Sequence, residues 1–445
     1  MPEKKTKRPA GSRKALSTDL LIIGGGAAGT AAAFAARNTD PSMRIVMISD
    51  EKWTQYSAPA LPDYLSGELT RDKLMVRTKE DYENAGIVLY GGDPVEEVDA
   101  AKHRAATKGG MVFEWKKLIF ATGSFPIRLR KMQGTDLPGN FVTKTIDDID
   151  AILAYGGKRA VVVGSGAIGL EGSMALKARG FEDVVMVEAL DWLSPKSLDR
   201  ETSDELTHAL EGFGVRVLTG EAVQGVLGKE KVEGVVTSKR EIPCDLILWG
   251  IGMRQDTALA VKSGVELGEL GGIRVDEHMQ TNLPDVYACG DCIESFDRLS
   301  KKPAAHLFWE PAQRSGMVAG ENCAGMDTEY NGSVAVFLTH KGGLAIVGFG
   351  KTEADIAADR RHVITDRRGK VYRRLLFEDG VLVGAQMVNT IRDADLMLDY
   401  LQRNAVRREG SQSMVCPLSE EELSRMTVTD CIRRFRNERR TQLKY

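Results

Sequence analysis

The chain is poor in the features that usually announce a chemistry of its own. Its 445 residues include only six cysteines (Cys244, Cys289, Cys292, Cys323, Cys416 and Cys431), without regular spacing. That excludes a disulfide scaffold and points to a reducing, cytoplasmic setting with free thiols. The six histidines are scattered and no cysteine has partners at metal-ligand spacing, so no zinc or iron-sulfur site is expected in this chain. No Ser-His-Asp set or carboxylate pair stands out as a hydrolytic site. The formal net charge of -3 supplies no global field toward nucleic acid or an anionic membrane, and a nucleic-acid role is not expected. Residues 1–17 are basic and polar without an apolar core, so they do not read as a secretory signal. The longest apolar run, residues 20–36, is near the short end of what a bilayer demands and is interrupted by Gly24, Gly25 and Gly26. It reads as a buried strand, turn and helix, not as a membrane span.

What remains is ordinary globular composition, 42% hydrophobic and 28% charged, in a chain long enough for two or three domains. Residues 20–23 read as a strand, 24–29 as a glycine turn, 31–36 as an alanine-rich helix and 44–48 as a second strand. The same succession returns at 160–163, 164–169, a helix through Leu176, and 184–187. Two such units in one chain imply two nucleotides. Between them a strand at 117–120 runs into ATGSFP; after the second, a strand at 245–249 runs into GIG. A strand at 286–288 leads into CGDC and an expected helix. From about Val334 the texture changes to alternating strands with a turn at Asp379-Gly380 and a helix at 394–403, a separate α+β module.

The glycines carry the chemistry. Gly24, Gly26 and Gly29 fit G-x-G-x-x-G between a strand and a helix. The first permits the tight turn, the second lets backbone approach a pyrophosphate, and the third lets helix pack on strand. The phosphates then sit at a helix N-terminus, where free N–H groups and the dipole favour negative charge. An acid after the next strand is expected on a ribose hydroxyl; Asp50 and Glu51 both qualify. The second fingerprint supplies Gly164, Gly166 and Gly169, with Glu188 ending the following strand. A carboxylate there suits the adenosine ribose diol and repels a 2′-phosphate, and Ala189 and Leu190 offer no arginine, so NADH is preferred over NADPH.

Two fingerprints, the ATG of Ala121, Thr122 and Gly123, the GIG ending at Gly252, and YACGDC with Gly290 and Asp291 follow in an order that resembles the FAD-dependent pyridine nucleotide disulfide oxidoreductase superfamily over residues 19–401. SAPALPDYLSGE, TNLPDVYACGD and DGVLVGAQMV are most similar to the branch of NADH-dependent rubredoxin and ferredoxin reductases, coenzyme A disulfide reductases, NADH oxidases and nitrite reductase flavin domains. The resemblance implies two Rossmann-like α/β domains, one for FAD and one for NAD, the second inserted in the first, plus a C-terminal α+β domain. The boundaries expected are a basic tail 1–17, FAD-binding parts 18–144 and 254–330, the NAD-binding domain 145–253, an α+β interface domain 331–410 and a basic tail 411–445. It also implies that Asp291 bonds the ribityl or pyrophosphate region, Val95 meets the adenine through its backbone, Trp309 lies near the flavin and Glu171 near the nicotinamide.

Against that family the loop QYSAPALPDYL is unusual. Thiol-using members carry a reactive cysteine where this chain has Pro59, which has no nucleophile, so disulfide or peroxide reduction at this position is disfavoured. The rubredoxin-reductase-like pattern is incomplete too: its arginine position is Ala58 and its lysine position Asp63, a loss of positive charge beside the flavin. Pro59 and Glu171 are the positions expected at the reacting centre. The spacing of Cys289 and Cys292 reads as small buried thiols and not as a dithiol centre. The resemblance implies an NADH oxidoreductase exchanging electrons with an iron-sulfur protein or subunit, an oligomer with itself or with other chains, and by analogy the NADH-handling subunit of a larger complex such as an aldehyde oxidoreductase. The alternatives are a stand-alone NADH oxidase or small-molecule reductase and a non-catalytic NADH-sensing scaffold. The basic ends read either as solvated or as docking an acidic partner, and Cys431, Ile432 and Phe435 at helical spacing favour burial against a neighbour.

Overall fold

The computed structural model describes residues 15–405 and 417–442; the expectations placed on residues 1–14, 406–416 (with Cys416) and 443–445 lie outside the described residues. The strand Leu16–Ile23 lies at the centre of the first sheet. It pairs in parallel with Ile45–Ile48 on one side and with Val112–Phe120 on the other. Its Leu20, Leu21 and Ile22, which point to alternate faces, are all wholly buried, so both faces of the sheet are covered here and the sequence shows a continuous apolar run and no alternation. Ile87–Tyr90 extends the sheet beyond Ile45–Ile48. An antiparallel flap, Val95–Asp99 and Arg104–Thr107, joins the first half of Val112–Phe120. Helix α1 (Ala27–Thr39) follows the first strand, and helix α2 (Leu61–Ser66) follows the QYSAPA loop.

The second unit repeats the plan. Its parallel sheet runs Arg216–Leu218, Asp183–Val187, Arg159–Val163, Leu246–Trp249, Asn140–Phe141, with helix α3 (Ala167–Arg179) after the strand Arg159–Val163. The chain then returns to the first sheet, where Val286–Ala288 pairs in parallel with Val112–Phe120. It ends that unit with helix α4 (Trp309–Cys323), which packs on α1. A methyl carbon on Gly316 or Gly320 would stand 2.3 or 2.1 Å from the carbonyl oxygens of Ala28 and Ala32, so glycine opposite alanine sets this close approach. One expectation fails here. CGDC leads into a single 3-10 turn, Gly290–Cys292, and then the strand Ile293–Phe296, not into a helix. Ile293–Phe296 is captured on both edges, by Ile273–Arg274 and by Pro303–Ala304, and those ladders take the backbone groups a helix would use.

The C-terminal module is an antiparallel sheet ordered Val336–Lys341, Leu344–Gly350, Val381–Val388, Val371–Glu378, Arg361–Arg368. Helices α5 (Ala394–Ala405) and α6 (Val428–Gln442) pack against it. Residues 411–445 were expected as a separate basic tail, yet α6 belongs to this module's core. Cys431, Ile432 and Phe435 are 0%, 5% and 1% exposed, and the ring of Phe435 lies 4.0 Å from that of Tyr400. The apolar stripe is therefore covered by the chain itself. The described arginines along it pair within the chain: Arg433 with Asp430, Arg434 with Glu422 and Glu438, Arg436 with Asp393 and Arg439 with Asp399. No helix among the described residues is long and apolar enough to cross a membrane.

Candidate functional site: two glycine cradles and the helix between them

In the first cradle Gly24 turns the chain at φ +123°, donating its N–H to the Ile48 carbonyl at 2.8 Å. A methyl carbon on Gly24 would stand 2.0 Å from the oxygen of Ala121, and one on Gly29 2.0 Å from the oxygen of Gly24. These two glycines are demanded by packing. On Gly26 the same methyl would meet nothing within 4 Å. Gly26 also caps α1 without any side-chain bond to the helix N–H groups, so an open, unscreened helix start faces free space, as a pyrophosphate requires.

Ala121, Thr122, Gly123, Gly290 and Asp291 come together beside this turn. Ala121 closes against Gly24, and Thr122 and Gly123 follow it; Gly123, at φ +74°, also faces open space. The Thr122 hydroxyl donates to the Asp256 carbonyl at 2.5 Å, and the Asp256 N–H to that of Gly123. Gly290 at φ +79° presses on Ala28 of α1 and donates its N–H to Ser315 Oγ of α4. That brings Asp291 beside Ser124, whose hydroxyl donates to Asp291 Oδ2 at 2.7 Å, with Lys144 Nζ 3.6 Å from the same oxygen. Trp309, half-buried, is the first residue of α4. Val95, also half-buried, begins the flap opposite Thr107.

The hydrogen-bond register answers which residue corresponds to Glu188. Gly24 donates to Ile48 as Gly164 donates to Val187, so the first unit has Ser49 where the second has Glu188. Asp50 and Glu51 come one and two residues later. Asp50 is exposed; Glu51 is half-buried and accepts the Tyr56 hydroxyl at 2.8 Å, with burial pushing its carboxyl above the usual range.

The second cradle has the same division of labour. Methyl carbons on Gly164 and Gly169 would strike the oxygens of Gly250 and Gly164 at 2.5 and 1.9 Å, while Gly166, which begins α3 without a side-chain cap, faces nothing within 4 Å. Gly252, at φ +112°, accepts the Ile127 N–H and so ties the GIG turn to the stretch after ATGSFP. The Glu188 carboxylate, nearly buried, accepts the N–H and hydroxyl of Ser165 at 2.9 and 2.6 Å and the N–H of Leu190 at 3.0 Å. It is fixed in orientation before any ligand arrives.

Between the cradles lies the 3-10 turn Ala58–Ala60, with Pro59 exposed on it, running directly into α2. Helix α2 packs on α3 through Leu61 and Leu65 against a core that includes Leu170 and Met174. Glu171, one turn into α3, accepts the Thr339 hydroxyl at 3.0 Å, and burial raises its carboxyl to about 7. Thr339 is one of the residues that motif reading missed, with Ser124, Lys144, Ser165 and Lys341. Ser165 stands between Gly164 and Gly166 of the second fingerprint and Ser124 directly after Gly123 in ATGSFP, where a hydroxyl beside a glycine was a usable signal. Thr339 and Lys341 come from another domain and carry no local signature.

Cys289 and Cys292 flank the Gly290–Asp291 turn of the first cradle, apart from the Pro59 turn. Cys289 and Cys292 are fully buried; Cys292 Sγ donates to the carbonyls of Cys289 and Phe120 at 3.2 and 3.5 Å, and burial pushes its thiol up to about 11. The described cysteines are all buried and free, and among the described residues no cluster of metal-ligating side chains occurs.

The family model of pyridine nucleotide-disulphide oxidoreductases matches residues 18–315, which hold both cradles. The chain belongs to this family. A relative from Methanocaldococcus jannaschii named NADH oxidase is 34% identical over 84% of this chain and 88% of its own. The ferredoxin reductase subunit of a 5,5'-dehydrodivanillate O-demethylase from Sphingobium sp. is 30% identical over 88% of this chain and 94% of its own. Among solved structures, a NAD-dependent persulfide reductase from A. fulgidus superposes with a TM-score of 0.82 over 96% of this chain and 84% of its own at 24% identity, a likeness of fold. As a member of the family the chain is a flavin-dependent, NAD(H)-using oxidoreductase. Both cradles fit a dinucleotide, since Gly26 and Gly166 leave open the space that a Cβ would fill.

Proposed function

We propose that the protein is an NADH-preferring FAD oxidoreductase that passes electrons between NAD(H) and an iron-sulfur protein or subunit, without a thiol relay. The observation that carries this reading is the Ala58–Ala60 turn between the two cradles: it presents Pro59 where thiol-using members have cysteine, and every described cysteine is buried elsewhere. FAD, when bound, supplies the capacity to take a hydride from NADH and to release electrons one at a time. The chain's own residues supply placement. The starts of α1 and α3 hold pyrophosphates on free N–H groups. Asp291, fixed by Ser124 and Lys144, takes a hydroxyl of the flavin's chain. Glu188 accepts from the ribose diol and leaves no room for a 2′-phosphate. Glu171, able to hold or lose a proton near neutral pH, stands on the helix that orients the nicotinamide. The relative that serves as a ferredoxin reductase subunit supports an iron-sulfur acceptor.

The test is anaerobic. The purified yellow protein is expected to bleach stoichiometrically with NADH and then to reduce an added ferredoxin or rubredoxin over many turnovers; pigment that stays oxidised under NADH overturns the proposal. The M. jannaschii relative favours a second reading, direct oxidation of NADH by oxygen. Fast oxygen uptake with no gain from an added iron-sulfur protein selects that reading.

A further inference from the structure

On the strand Val336–Lys341, burial alternates, and Phe337, Thr339 and Lys341 point inward. A lysine at the third of these core positions is out of place unless partners hold it, because an ammonium taken out of water without them is costly. Lys341, with its side chain 2% exposed, has three partners for its three protons: Asp63 Oδ1 at 2.5 Å, Ser66 Oγ at 2.8 Å and Glu68 Oε1 at 3.1 Å. All three belong to α2 or the turn after it, the element that continues the Pro59 turn. Thr339, two residues back on the same face and so about 7 Å along the strand, donates to Glu171 of α3. Three separate modules thus meet in one polar cluster around the buried Lys341, whose partners Asp63 and Glu68 are 33% and 53% exposed. Asp63 occupies the position that the family pattern gives to lysine, so the cation missing from the loop enters the region from the C-terminal domain.

We propose that Lys341 is a positioning residue for hydride transfer: by bridging α2 to the strand that holds Glu171, it fixes the two cradles against each other and, with Asp63, adjusts the charge of Glu171. This rests on the reading that Glu171 stands by the nicotinamide. The charged groups that act on Glu171 are Asp63 from α2 and Lys341 from the strand; α3 itself adds none at this point. The ammonium favours the ionised carboxylate, Asp63 disfavours it, and burial outweighs both.

The experiment is a pH titration of the buried carboxyl C=O stretch by infrared difference spectroscopy, each protein referenced to its Glu171→Gln partner, on protein stripped of flavin and again on the holoprotein. Lys341→Met is expected to move the Glu171 midpoint up and Asp63→Asn to move it down, each on the order of one pH unit. The double variant Asp63→Asn/Lys341→Met, which removes the pair together and leaves no lone buried charge, is expected near the parent and covers the case in which Lys341→Met does not fold. Lys341→Arg should retain the parent midpoint. Shifts of one sign in both single variants, or none, overturn the proposal, since loosened packing moves both alike. The reading beneath it fails separately: if Glu171→Gln leaves the anaerobic rate of flavin reduction by NADH and its pH profile unchanged while the titration shifts stand, Glu171 is coupled to Lys341 but is not at the nicotinamide.

Discussion

Replacing Phe435 by alanine decides what the C-terminal helix is for. In the structure its ring is 1% exposed and lies 4.0 Å from the ring of Tyr400 within the core of the C-terminal module. Removing a buried phenylalanine ring costs about 3–5 kcal/mol through lost transfer energy and the cavity left behind. The exposed ion pairs on the same helix are worth much less; Arg433 to Asp430, at 3.5 Å between two solvated side chains, belongs to the class worth about 0–1 kcal/mol. Phe435→Ala is therefore expected to lower the urea midpoint clearly and Arg433→Gln to leave it nearly unchanged. Circular dichroism should be followed alongside flavin fluorescence, because a chain of three modules need not unfold in one step. If α6 is a structural element, loss of dye reduction and of transfer to an iron-sulfur protein should track loss of fold in Phe435→Ala, and Arg433→Gln should spare both. A parent-like midpoint for Phe435→Ala with selective loss of transfer to the protein acceptor would refute this and return the helix to a docking role.

The glycines divide into two testable classes. Gly26→Val, whose side chain enters open space, should abolish flavin retention with little change in the melting temperature of the flavin-free protein; Gly29→Ala, 2.0 Å from a carbonyl oxygen, should cost the fold itself. Flavin content and melting curves check both, and full flavin in Gly26→Val would remove the cradle assignment. Glu188→Arg should shift the ratio of kcat/KM from NADH toward NADPH and cost about 1–3 kcal/mol of stability, as Ser165 and Leu190 lose a buried acceptor. An unchanged ratio would remove Glu188 from the ribose.

Legibility in the sequence followed how local the cause was. The two cradles could be read because a tight turn, an open approach and a helix packed on a strand each demand glycine within six residues, and flanking strands buried on both faces leave continuous apolar runs. The helix expected after CGDC was misread because the capture of Ile293–Phe296 by strands on both edges depends on segments far away in the chain. The acid after the second strand was ambiguous for a related reason: only the paired bonds of Gly24 to Ile48 and Gly164 to Val187 show that Ser49 occupies the place of Glu188. The tail was legible as an amphipathic helix but not as to what covers it, since a stripe of Cys431, Ile432 and Phe435 suits a partner and its own sheet equally well. Lys341 was beyond reach, because its partners stand about 275 residues earlier.

The lost charge in the loop shows why a family pattern read position by position misleads. Taken alone, Asp63 in place of lysine reverses the sign of a charge beside the reacting region. In the folded chain the same carboxylate is the anchor that draws Lys341 across the domain boundary, so the substitution and the buried lysine form one feature. The same holds for the thiols. Cys289 and Cys292 have dithiol spacing, yet reaction needs a thiolate and an approach path, and both sulfurs are sealed in the core below Asp291 with burial holding them protonated. The proposed route calls for no sulfur relay, and the exit of an electron along it depends on how closely an acceptor can approach the flavin. In such a design, control falls to the groups that position the two cradles and set the charge between them.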